Sequence, residues 1–167
     1  MRRISFALTT DAVIERRKDV TRRLGWSFAK PGMKLLAVDK LRTKDARHLA
    51  VIEIVSVRSE PLNWLTADDL VREGFARDHF FGAYGNDYPI SGYGIDGFVN
   101  WFAATAKWPV TGEVNRIEFC YLDCYVCGAR PTCVGTADVS KDLQPMCDAH
   151  CGHSDEDGCC WPLAVPA

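Results

Sequence analysis

The sequence predicts an α+β fold: a small mixed β-barrel with flanking helices, then a short C-terminal segment that something other than a core must hold. Three observations predict it. Short β-branched runs alternate with two or three helical stretches over the first 122 of 167 residues. All 8 cysteines stand at or after Cys120. No glycine-rich phosphate loop follows a strand, which removes the doubly wound nucleotide-binding folds.

The elements follow in order. Ile4 to Leu8 is β-like. Thr10-Asp11 opens a short helical stretch through Lys18, with either side chain able to cap it. Pro31-Gly32 is a turn, and Met33 to Val38 is the strand after it. Leu49 to Val57 is the longest β-branched run. Leu65 to Leu70 opens a helix in which Thr66 and Asp69 have capping-box spacing, with Asp in place of the usual Glu. Phe98 to Ala106 reads as another helix and Val114 to Leu122 as the last strand. The aromatic and glycine-rich stretch between Phe75 and Gly97 reads as a long surface loop. Trp64, Trp101 and Trp108 read as core or helix-packing groups. Trp161 reads as packing the C-terminal segment onto the barrel. A structural role is the default for His48 and His79.

Composition narrows the class. The chain is 47% apolar and 25% charged, unlike a disordered tail. No apolar run approaches a membrane span. Ile4 to Leu8, after Met1-Arg2-Arg3, is too short for a signal-peptide core, so the expected compartment is the cytoplasm. The net charge of -2 hides a split. Residues 1–60 carry 14 Lys/Arg against 7 Asp/Glu, and residues 61–167 carry 6 against 15. The front of the chain suits phosphates better than the back does.

The cysteines mark a boundary near Leu122, with a domain over 1–122 and an extension over 123–167. The extension has too few large apolar residues to bury a core alone. Disulfides would need an oxidising compartment, so zinc is the favoured staple. Cys124 and Cys127 are two residues apart, followed by a glycine that lets the backbone turn, and can grip one ion. After nineteen intervening residues Cys147 begins a second pair, with His150 or Cys151 competing for the fourth position. Cys133, His153, Cys159 and Cys160 hold enough donors for a second ion. One structural zinc is expected, with two possible. The extension could also dock a protein partner. Cys120 sits in an alternating strand and reads as a buried free thiol.

The densest polar run is Arg16 to Arg23, with Trp26 close behind. Guanidinium groups suit phosphates and an indole can stack on a base, whereas the plainer reading is a solvated basic turn. Lys18-Asp19-Val20-Thr21-Arg22-Arg23, then Leu24-Gly25-Trp26 and Lys30-Pro31-Gly32, resembles the ASCH domain family. So does Val55 to Leu62, then Leu65-Thr66, then Arg72-Glu73-Gly74-Phe75, and then the strand Val114 to Phe119. The likeness spans residues 3–122 and is nearest to versions found in bacteriophage genomes. The cysteine-rich extension lies outside it.

The resemblance implies a barrel of the PUA type with a cleft for a base or nucleoside, and binding of RNA. A subset of the family hydrolyses the amide of N4-acetylcytidine with a Lys, a Thr and a Glu, and the matching positions here are Lys18, Thr21 and Glu73. Arg16 stands where many relatives have a glycine, and the small hydrolases lack the extension and the long loop. The expected function is therefore an amidohydrolase removing an N4-acyl group from cytidine or a similar modified base. Arg17, Arg22, Arg23 and Trp26 are the expected binding residues. The alternatives are a non-catalytic reader of RNA or a modified base, and, third, a ribonuclease. Lys18 could serve as base if burial and its arginine neighbours lower its pKa.

Overall fold

The structure is a computed structural model. It describes residues 1–41, 43–82 and 91–122, and describes Ser91 and residues 133–136, 143–146 and 161–162 by backbone alone. The order is β1 (Arg2–Ser5), α1 (Thr10–Ile14), β2 (Val20–Arg23), β3 (Lys34–Val38) and β4 (His48–Pro61). A 3-10 turn (Leu62–Trp64) leads to α2 (Ala67–Arg72), the hairpin strands β5 (Phe80–Gly82) and β6 (Ser91–Tyr93), α3 (Gly94–Ala106) and β7 (Glu113–Tyr121). Beyond these, β8 (Cys133–Thr136), β9 (Leu143–Met146) and β10 (Trp161–Pro162) form a separate sheet in the order β10-β8-β9.

The main sheet runs β1-β3-β4-β7-β2. β1 lies parallel to β3 and the other pairs are antiparallel, so the fold is α+β with a mixed sheet. It is a half-barrel rather than a closed one, because β1 and β2 end the order and share no ladder among the described residues. The two edges are nevertheless bridged by a side chain: the Arg23 guanidinium of β2 donates to the Ser5 carbonyl of β1. A bulge between Ile54 and Ser56 leaves Val55 out of the β4–β7 register, and Val55 is exposed. Bulges of this kind bend a strand and add twist.

Among the described residues two larger apolar clusters hold the sheet to its helices, and a third, small one of Leu36, Val38 and Val51 lies on the sheet. Ile4, Phe6, Val13, Leu35, Ile52 and Phe119 form part of the first, between the sheet and α1. Leu62, Leu70, Phe81, Phe98 and Val99 form part of the second, between α2, β5 and α3. Full burial of such a side chain contributes about 1.5–3 kcal/mol. No helix among the described residues is long and apolar enough to cross a membrane.

Several elements differ from expectation. β1 stops at Ser5, since the Thr9 N–H turns back to the Phe6 carbonyl and leads into α1. α1 stops at Ile14 instead of reaching Lys18, because Arg16 adopts a left-handed φ of 60° that no helix continues through. The basic run is therefore no turn: its second half is β2, and Arg22 is buried. The stretch after Phe75 holds β5, β6 and the first turn of α3, which begins at Gly94. Its glycines suggested a loop, but two of them serve packing. A Cβ on Gly97 would lie 2.2 Å from the Gly92 carbonyl oxygen, so β6 and α3 meet backbone to backbone. Cys120 is exposed, not buried, because it ends the alternation of β7 on the side opposite Phe119. Trp64 is 67% exposed and Trp108 39%, so neither is a core residue, whereas Trp101 packs on the second cluster.

Candidate active site

The site is built by clasping α2 onto the sheet through charge. Thr66 caps the helix, its hydroxyl oxygen accepting from the Asp69 N–H at 3.1 Å. The return half of the expected capping box is absent, because the Asp69 carboxylate is used elsewhere. One of its oxygens accepts from Arg116 at 2.7 Å and the other from Arg22 at 2.8 Å. Arg22 and Arg116 are directly opposite across β2 and β7, and Arg58 is opposite Arg116 across β7 and β4. A row of like charges repels, and carboxylates offset it. Glu60 accepts from Arg22 at 2.6 Å and from Arg58 at 2.7 Å.

The far end of α2 places the third carboxylate. The helix closes with a Schellman motif: the Gly74 N–H reaches the Val71 carbonyl at 2.9 Å and the Phe75 N–H reaches the Leu70 carbonyl at 3.2 Å. Gly74 has φ +91°, and a Cβ there would lie 2.7 Å from the Ala12 Cβ. Only glycine meets both demands, and it brings Glu73 against Lys18. Lys18 Nζ donates to Glu73 Oε2 at 2.7 Å and to the Glu73 carbonyl at 2.5 Å. Arg22 reaches the other oxygen of Glu73 at 3.3 Å. Arg72 grips Asp19 with two hydrogen bonds, and the Tyr121 hydroxyl donates to the Lys18 carbonyl at 2.6 Å. The backbone on both sides of Lys18 is thereby fixed.

Buried cations and carboxylates balance: Lys18, Arg22 and Arg116 stand against Glu60, Asp69 and Glu73. No buried side-chain polar atom lacks a partner among the described residues. Burial pushes the Lys18 amine below its ordinary value of 10.5; Glu73 opposes that shift, and Arg23 and Arg22 add to it. Burial also lowers the Arg23 guanidinium, with Glu73 opposing. For Asp69, burial favours the protonated form, but the hydrogen bonds from Arg116 and Arg22 outweigh it and hold the carboxyl at about 2. Arg116, then Ser56, hold Glu118 at about 2.

Those two depressed values set the acid limit of the fold. Each carboxyl is held below its ordinary value, so its stabilising contribution is complete above the ordinary values of 3.8 and 4.5 and is lost as pH falls through about 2. Urea midpoints are expected to fall steadily from about pH 5 toward pH 2. A flat profile over that range would remove the two pairs from the account of stability.

Lys18, Thr21, Arg22, Arg23 and Glu73 line one cleft of about 210 Å³. It opens where the half-barrel fails to close, with residues of the Ser5–Thr9 segment along it. The remaining lining is aromatic: Phe6, Phe75, Phe98, Trp101 and Phe102. Arg23 Nε donates to the Thr21 hydroxyl oxygen at 3.2 Å, and its guanidinium lies 5.3 Å over the Phe6 ring. That bond occupies one lone pair of Thr21 and leaves the hydroxyl proton free to be donated. A cleft with an amine of lowered pKa, a fixed hydroxyl, a carboxylate and aromatic faces can bind a planar polar heterocycle and attack an acyl carbon next to it.

Two expected binding residues lie apart from this cleft. Arg17 is exposed and paired with Glu15, and Trp26 packs on Phe28 and the first cluster. Sequence reasoning missed Glu60, Asp69, Arg116 and the aromatic lining. One signal was available: β7 is apolar on both faces around Arg116, at Val114 and Ile117, so a charge there has to be buried with partners. The zinc candidates Cys124, Cys127, Cys147, His150, Cys151, His153, Cys159 and Cys160 lie outside the described residues, as does Trp161 apart from its backbone. Cys133 falls in β8, of which only the backbone is described. Among the described residues no group of three His, Cys, Asp or Glu side chains is placed to hold a metal ion.

No family model matches the chain. No curated protein matches it either. Among solved structures, a protein of Enterococcus faecalis from the family DUF984 aligns over 71% of this chain and 72% of its own, at 16% identity and a TM-score of 0.47. An ASCH domain from Lactobacillus crispatus aligns over 72% and 78%, at 13% identity and a TM-score of 0.46.

Proposed function

We propose that this chain is an ASCH-type protein of the bacteriophage kind whose cleft hydrolyses the N4-acyl amide of cytidine or a similar modified base. The observation that carries the reading is the convergence of Lys18, Thr21 and Glu73 on one cleft, although Glu73 is 55 residues from Lys18 in the chain. Thr21 Oγ attacks the acyl carbon, and its proton passes to a neutral Lys18 amine. The C–N4 bond then breaks, and the departing amino group takes that proton from Lys18. The acyl group remains as an ester on Thr21. Water attacks the ester, Lys18 takes the water's proton and returns it to Thr21 Oγ, and the carboxylic acid leaves. Glu73 holds Lys18 in place. Arg23, already bonded to Thr21 Oγ, supplies positive charge beside the developing oxyanion.

The extension over 123–167 is read with this as a zinc-binding appendix. Cys124, Cys127, Cys147 and either His150 or Cys151 would hold one structural ion, and the remaining donors are a possible second set. Four protein donors leave no open position, so the ion would fold the segment and take no part in the reaction.

A second reading is favoured by the double engagement of Lys18 with Glu73, which also suits a cation held for structure. In that reading the cleft binds RNA or a modified base and does no chemistry. Incubation with N4-acetylcytidine, followed by chromatography of cytidine, separates the two. The hydrolase produces cytidine, with a rate that rises with pH as Lys18 loses its proton, through a value below 10.5. Thr21→Val removes the product. No cytidine from folded protein would leave the binding module.

A further inference from the structure

Beside the cleft, at Phe75 and Trp101, lies a second pocket of about 140 Å³. The two are neighbours and share Leu8, Phe75 and Trp101 as lining, so one ligand lying along these three side chains would touch both. The second pocket is lined otherwise by His79, Phe80, Phe81 and Gly82, and among the described residues no Lys, Arg, Asp or Glu lines it. The alternation of β5 explains its character: Phe81 is buried and Phe80 exposed, so a ring borders the pocket from each side of the strand. Phe75 packs on Phe81 at 4.9 Å, and His79 on Phe81 at 4.6 Å. These contacts fix the rings before any ligand arrives.

We infer that this second pocket is the acyl subsite of the cleft, and that the preferred substrate carries an apolar acyl chain longer than acetyl. The inference rests on the proposed hydrolysis. A cytosine ring has polar edges, and among the described residues that line the two pockets the charged side chains lie in the first cleft. The acyl carbon has to sit beside Thr21, so its two substituents extend in different directions. The polar base stays with Lys18, Arg23 and Glu73, and the hydrocarbon continues past Phe75 and Trp101 among rings. Each methylene removed from water there strengthens binding about fourfold.

The test is a straight-chain series of N4-acetyl-, N4-butyryl- and N4-hexanoylcytidine, whose amides differ little in intrinsic reactivity. In the wild-type protein kcat/KM is expected to rise at least about tenfold from acetyl to hexanoyl. Gly82→Leu fills the second pocket; its Cβ would meet only the far edge of the Phe80 ring, at 3.0 Å, and that ring is half exposed. The ratio of hexanoyl to acetyl kcat/KM is expected to return toward one in this variant. A flat or falling series in the wild-type protein overturns the subsite while leaving the hydrolase. If no member is hydrolysed, calorimetric binding of the same compounds decides. Tighter binding of the hexanoyl compound, lost in Gly82→Leu, keeps the subsite without the chemistry. Equal or absent binding overturns it.

Discussion

Replacing Lys18 by methionine is expected to lower hydrolysis of N4-acetylcytidine by about 10²–10⁴-fold, and replacing it by arginine is expected to do the same. The second variant is the informative one. Methionine keeps the length and burial of the side chain but removes both charge and base. Arginine restores a cation able to pair with Glu73, yet a guanidinium does not give up its proton at any working pH. If Lys18 acted only as a positive charge holding substrate or Glu73, arginine would recover much of the rate. If it acts as the base for Thr21, arginine recovers none. The fold tolerates the loss in either case, because Glu73 keeps its bond to Arg22 at 3.3 Å. Lys18→Met breaks a buried ion pair and costs about 3–5 kcal/mol, which thermal melts would register as a lower midpoint with an intact transition. Recovery of a tenth or more of the wild-type rate by Lys18→Arg would remove the base from the mechanism.

Three strands of the main sheet could be read from the chain, and the resemblance singled out Lys18, Thr21 and Glu73, but β2, the β5–β6 hairpin and the surroundings of those three residues could not be read. Met33 to Val38, Leu49 to Val57 and Val114 to Leu122 announce themselves by β-branched alternation, and the observed strands agree with them to within a residue or two except at the C-terminal end of β4. That end runs on to Pro61 through Arg58 and Glu60, whose charges suggest a loop until their partners are known. The burial of Arg22 among carboxylates was hidden for the same reason. A cation in a basic run is usually solvated, and only the pairing of β2 with β7 brings Asp69 and Glu60 to it. The hairpin and early start of α3 were hidden by glycines that look like punctuation and act as spacers between Gly92 and Gly97. The aromatic lining was out of reach, since Phe6, Phe75 and Trp101 meet only after three separate elements pack.

Because the buried charges balance, removing one of them is expected to be costly, and Arg22 is the one with most to lose. Its guanidinium, wholly enclosed, serves Glu60, Asp69 and Glu73 together. Arg22→Met leaves each carboxylate with one remaining cation, respectively Arg58, Arg116 and Lys18. None is orphaned, but the cluster acquires an uncompensated negative charge in a low-dielectric setting. Breaking buried pairs in this way costs about 3–5 kcal/mol, a large fraction of the stability of any single domain. Urea denaturation of Arg22→Met should show that loss, with an unchanged slope. Adding Asp69→Asn restores neutrality, so the double variant should be less destabilised than the two single losses summed. The same substitution reaches the chemistry. Arg22 is one of the charges that disfavour a protonated Lys18, so without it the Lys18 pKa rises and the rising limb of the pH–rate profile moves to higher pH. A structural arginine with no electrostatic link to the site would lower stability and leave that limb where it was. A loss below about 1 kcal/mol, within the range of surface pairs, would mean that the cluster is far better solvated than its burial implies.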